Sequence, residues 1–153
     1  MSFLLHLEED KLDKIVDVLI RYENTIEKAE PIFKLENRRI EEIARTLPHY
    51  QSSFDQQYQE LKGLEEWLNN VKEKRVSKLW KKYNEGYSKS LSTRDIQAYI
   101  GGEKDIVELN QIIIEVTLLK SKMLSIVEAL KQLGWMLANI TKLRIAEMQD
   151  AIL

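Results

Sequence analysis

Toward the C-terminus, apolar residues recur at alternating spacings of four and three: Ile112, Val116, Leu119, Met123, Ile126, Leu130, Leu133, Leu137 and Ile140. An α-helix brings residues three and four apart onto one face, so this is a heptad a/d seam. Ile106, Leu109, Ile113, Ile114, Val127 and Met136 widen the stripe, and Gly134 interrupts helix propensity but not the pattern. The helix is expected from about Glu103 to Asp150, with Glu103 and Asp105 suiting the positive end of its dipole. A helix of about 45 residues is roughly 70 Å long at 1.5 Å per residue. Such a rod in a chain of 153 residues is expected to outrun what its own protomer can cover. Part of the seam, from Ile112, Val116, Leu119 and Met123 through Ile126, Leu130, Leu133 and Leu137, is therefore expected to meet other subunits.

The rest of the chain reads as helix too. Alternating strand patterns are missing, and Val and Thr are scarce. A first helix is expected from about Glu8 to Glu30, with Leu12, Ile15, Leu19, Tyr22 and Ile26 on one face. Pro31 suits the first turn of a second helix, which carries Leu35, Ile40, Ile43 and Leu47 and should end near Pro48. A third is expected from about His49 to Glu85, with Gly86 as a left-handed stop. Ser92-Thr93-Arg94-Asp95 resembles a capping box and should open a short helix through Tyr99, with Gly101-Gly102 as the next breaker. The expected organisation is one all-α helical domain over 1–153: acidic N-terminal helices in 1–47, a central helix with a basic end and loop in 49–94, and a long coiled-coil-like helix in 103–150.

Composition narrows the function classes. With no cysteine, the chain has neither disulfides nor thiolate metal sites, which fits a reducing cytoplasm. Met1-Ser2-Phe3-Leu4-Leu5-His6 is too short for a leader core and soon meets Glu8, Glu9 and Asp10. No uncharged apolar run is long enough to span a bilayer, so no membrane partner is expected. Catalytic motifs are equally scarce. Neither His6 nor His49 follows a Glu at the spacing of a di-iron helical site. Gly101-Gly102 lacks the spacing of a phosphate loop, and Glu41-Glu42 and Glu65-Glu66 read as solvated helix faces. No enzymatic activity, metal or cofactor is expected.

Charge supplies the one positive functional signal. Lys72, Lys74, Arg75, Lys78, Lys81, Lys82, Lys89 and Arg94 stand against Glu73 and Glu85, a net of +6 within a chain of −2. The flanks are acidic, at −6 over residues 1–71 and −2 over 95–153. Lysines on a helix are ordinarily a solvated face. Here Lys74, Lys78, Lys81 and Lys82 share one side, and the run leads into a polar loop from Asn84 to Ser92. Trp67, Trp80, Tyr83 and Tyr87 lie within or beside it. Clustered cations favour a polyanion, and aromatic rings stack on unpaired bases. Tyr87, in the expected loop, is the better stacking residue, whereas Trp80 at helical spacing suits a core equally well. The candidate contacts for a single strand are Lys74, Arg75, Lys78, Lys81, Lys82, Tyr87, Lys89 and Arg94. The competing reading is a coiled-coil scaffold or adaptor that binds no nucleic acid.

Arg75-Val76-Ser77-Lys78-Leu79-Trp80-Lys81-Lys82-Tyr83 and Glu103-Lys104-Asp105-Ile106-Val107-Glu108-Leu109, in that order across a polar loop and a short capped segment, resemble the UvsY-type recombination mediators of large tailed bacteriophages. The resemblance covers roughly residues 60–150. It implies a small all-helical protein assembling into a hexameric or heptameric ring or barrel, in the cytoplasm of an infected bacterial host. It further implies binding of single-stranded DNA, remodelling of single-strand-binding protein, and loading of a RecA-like recombinase during recombination and repair. In the family a Lys-x-basic pair ahead of the tyrosine contributes to DNA binding. Lys78 matches its first member, Trp80 stands at the second, and Arg75, Lys81 and Lys82 are the nearby cations. The N-terminal 60 residues are less like the family, and their acidity suits protein partners.

Overall fold

The computed structural model describes residues 6–87 and 89–150, the side chains of 148–150 excepted. The opening residues Met1 to Leu5, read above as too short for a leader core, lie outside the described part. Five helices follow in order: α1 Asp13–Glu27, α2 Glu30–Phe33, α3 Ile40–Glu85, α4 Thr93–Gly102 and α5 Lys104–Asp150. There is no strand among the described residues, so the fold is all-α and bundle-like.

The chain forms two compact units, and α3 and α5 contribute to both. The first comprises Met1–Ile20 and Glu60–Leu119. Its core draws Ile15 and Leu19 from α1, Leu61, Leu64, Leu68 and Val71 from α3, and Leu109, Val116 and Leu119 from α5. Beside them Ile96 and Ile100, one turn apart on α4, close with Ile106 over Val76, Leu79, Trp80, Tyr83 and Leu91. The second unit comprises Arg21–Gln59 and Lys120–Leu153. It buries Tyr22, Ala29, Ile43, Leu47 and Phe54 with Met123, Val127, Leu130, Leu133 and Leu137. There Gln51 Nε2 donates to the Leu130 carbonyl at 3.3 Å. Gly134, one turn after Leu130, faces the same amide: a Cβ there would make ordinary contact with Leu47 at 3.4 Å and Gln51 at 3.5 Å.

The heptad seam is covered by the chain itself. Val116, Met123 and Leu130 have no accessible surface in the single chain, and Leu119, Leu133 and Leu137 are buried. Ile112 and Ile126 are half-buried. The single chain by itself covers most of this face, α3 at 46 residues nearly matching α5 at 47. In the first unit Val76, Leu79 and Trp80 of α3 pack on the cluster of Ile96, Ile100 and Ile106; in the second, α3 bonds and packs on α5 around Leu130 and Gly134.

Several boundaries differ from expectation for local reasons. Helix α1 starts five residues later than Glu8. The Glu9 carbonyl, which a longer helix would bond internally, accepts from Arg75 Nη2 at 2.8 Å. Pro31 does open a helix, but α2 stops after four residues in extended Lys34. Asn37 then turns the chain at φ 60°, a left-handed conformation asparagine tolerates. Pro48 does not end a helix: α3 runs through it. An interior proline forfeits one backbone bond and costs about 3 kcal/mol. Burial of Ile43, Leu47 and Phe54 on the same helix, each side chain worth about 1.5–3 kcal/mol, outweighs that. Gly86 does not adopt the left-handed conformation. Its N–H reaches the Lys82 carbonyl at 3.0 Å, and a Cβ would lie 2.6 Å from that oxygen, so close approach calls for glycine. Gly101 and Gly102 complete α4, and the break falls at extended Glu103.

Candidate nucleic-acid interface

The last four turns of α3 carry the basic face. Lys74, Lys78, Lys81 and Lys82 are all exposed, while Arg75 is half-buried. Exposure follows from the register: Val76, Leu79, Trp80 and Tyr83 turn onto the Ile96, Ile100 and Ile106 cluster and leave Lys74, Lys78 and Lys81 on the other side of the helix. Lys74 Nζ bonds Glu9 Oε1 at 2.7 Å, and the ammonium holds the Glu9 carboxyl below its usual range, with Lys78 and Arg75 adding to the pull. Among the described residues no ion pair holds Lys78, Lys81 or Lys82. Beyond α3, Lys89 is exposed in the loop and Arg94 in the first turn of α4.

The expected cap is present in altered form. The Ser92 hydroxyl accepts from the Asp95 backbone N–H at 3.2 Å and donates to the Asp95 carboxylate at 2.6 Å. This fixes the start of α4 and, through it, the position of Tyr99. The Tyr99 ring stacks on Tyr83 with centroids 5.6 Å apart and planes 19° apart. Tyr87 lies against Tyr83 in the same manner, at 5.9 Å and 19°. Tyr87 and Tyr99 are each about half exposed, at 53% and 51%. Lys82 Nζ lies 5.7 Å from the centre of the Tyr83 ring. Tyr83 donates its phenolic proton to Glu103 Oε1, and that bond, with partial desolvation, pushes its pKa up to about 12.

One cation, Lys82, thus meets the aromatic rings at the end of α3, within the first unit. Trp80 is not part of that exposed set, because it packs against Ile96, Ile100 and Ile106. Tyr99 escaped the sequence reading. Its distance from Tyr83 along the chain gives no sign that α4 folds back onto α3. The acidic border also escaped it. Glu9 shares one cleft with Trp67, Lys74 and Lys78, and Asp10, Glu103 and Asp105 share a second with Arg75 and Lys78. Among the described residues no group of histidine and carboxylate side chains could hold a metal ion, and no helix is long and apolar enough to cross a membrane. No protein-family model matches this chain, and neither does any curated protein or solved structure.

Proposed function

We propose that this chain binds single-stranded nucleic acid through the basic end of α3 and the tyrosines beside it. The observation that carries the reading is Lys82 lying 5.7 Å from the centre of the Tyr83 ring, on which Tyr87 and Tyr99 stack, with Lys78 and Lys81 exposed on the same end of α3. Lysines neutralise backbone phosphates without reading sequence, and exposed rings accept unpaired bases. The resemblance to the phage mediators extends the proposal. The strand is DNA cleared of single-strand-binding protein, the further partner is a RecA-like recombinase, and the setting is the cytoplasm of the infected host. Catalysis has no part in this reading.

Assembly belongs to the same proposal, on a different face from the seam. Val107, Ile114 and Leu118 are each just over half exposed on the first half of α5, seven and four residues apart. Gln111 between them is uncharged. A charge-free heptad stripe matches a like stripe on a second copy. Several weak sites on one strand then gain avidity. The alternative, a scaffold without nucleic acid, draws on the same stripe and on the Glu9–Lys74 pair, which makes part of the basic face an internal contact. Fluorescence anisotropy with a labelled single-stranded oligonucleotide separates the two. Saturable binding that favours the single strand over a duplex of equal length is expected. Absence of binding at low salt leaves the scaffold.

A further inference from the structure

The first unit holds a cleft of about 630 Å³ between the N-terminal segment and α3. Half-buried Trp67 forms part of its wall, with Asn70 and Ser77 alongside and Lys74 and Lys78 at its edge. Glu9 closes it. The Glu9 carboxylate sits on Lys74 at 2.7 Å, and the Glu9 backbone carbonyl accepts from Arg75 at 2.8 Å. An anion therefore already occupies the lysine, supplied by the chain itself. A phosphate oxygen makes the same charge-assisted bond to an ammonium as a carboxylate does. The space behind is walled by an indole, and every nucleobase has a face that stacks on one.

We infer that this cleft is the seat of one nucleotide of the bound strand, its phosphate replacing the Glu9 carboxylate on Lys74 and its base lying against Trp67. The inference rests on the nucleic-acid reading above and adds a residue-level site to it. Glu9 then acts as an internal phosphate mimic that the strand must displace. The pair is exposed on both sides, at 66% and 42% of the side-chain surface, so displacement is easy and its effect is modest. Glu8 is the matched control. It is one residue away and carries the same charge, but its partner is Lys11 of its own segment and not α3.

Two measurements on the full chain test the site, both with an oligothymidylate at low salt. In the first, Glu9→Gln should bind roughly two- to fivefold more tightly than the parent, the range expected for one exposed ion pair, and Glu8→Gln clearly less. Equal gains for the two variants reduce the effect to net charge and overturn the site. In the second, the oligonucleotide should quench the parent's tryptophan fluorescence, and Trp67→Phe should lose most of that quenching while still binding. Quenching that survives in Trp67→Phe comes from another tryptophan and overturns the site. In either failure the parent still binds and the functional reading stands. If parent and Glu9→Gln both fail to bind, the functional reading falls and the site with it.

Discussion

The Tyr83 hydroxyl donates to the Glu103 carboxylate, tying the end of α3 to the single extended residue between α4 and α5. The bond fixes the ring on which Tyr87 and Tyr99 stack. Glu103 therefore does more than face the dipole of α5. It orients the aromatic end of the proposed interface.

That bond has a titration signature. The neutral phenol donates, whereas the phenolate would face a carboxylate. Tyr83 accordingly keeps its proton from the ordinary 10.0 up to about 12. Because the folded value is raised, the stabilising contribution is complete below about pH 10 and is lost as pH rises through about 12. Ultraviolet absorbance against pH should show one of the six tyrosines ionising late. Glu103→Gln should bring that step down toward the others. A parent whose tyrosines all ionise together near 10 contradicts the bond.

The glycines divide by their surroundings. A Cβ at Gly101 or Gly102 meets nothing within 4 Å, and neither adopts a positive φ. Alanine at each should stabilise α4 by up to about 1 kcal/mol. Gly86→Ala should lower stability, because its Cβ would lie 2.6 Å from a backbone oxygen. Thermal melts of the single variants check both directions.

The two faces of α5 should respond differently to charge. Leu130 has no accessible surface, so Leu130→Asp places a carboxylate in an apolar core at a cost of several kcal/mol and should unfold the chain. Leu118 is 52% exposed, so Leu118→Asp should leave the helix content intact and abolish self-association. Circular dichroism and sedimentation together read this. A folded, monomeric Leu130→Asp protein would restore the seam as the subunit interface.

The aromatic contribution is separable from the ionic one. Tyr87→Ala and Tyr99→Ala should each weaken oligonucleotide binding by about 1–3 kcal/mol and leave its salt dependence unchanged, because stacking releases few counterions. Binding isotherms at two salt concentrations give both quantities.

The helical class and the location of α5 were legible because period and length speak directly. Val116, Leu119, Met123 and Leu130 recur at four and three, and they are buried. What covers them was not legible. For Met123 and Leu130 that depended on α3 passing through Pro48, where burial of Leu47 and Phe54 overrides a local penalty. The candidate cations were legible as a charge excess, and Lys74, Lys78, Lys81 and Lys82 do share an exposed side. Tyr99 and Glu9 reach that side only through tertiary contacts, with α4 folding onto α3 and the Glu9 backbone bonding Arg75. No spacing in the chain encodes either contact.

The central claim is that the basic end of α3 neutralises backbone phosphates. For single strands, the slope of log affinity against log salt changes by about 0.7 per phosphate neutralised. The most direct measurement is that slope for the parent and for a Lys78→Ala, Lys82→Ala double variant, with sedimentation confirming that assembly is unchanged. A steep parental slope that flattens by about 1.4, together with weaker binding, is the predicted result. A double variant that binds like the parent at every salt concentration would show these lysines to be an ordinary solvated helix face.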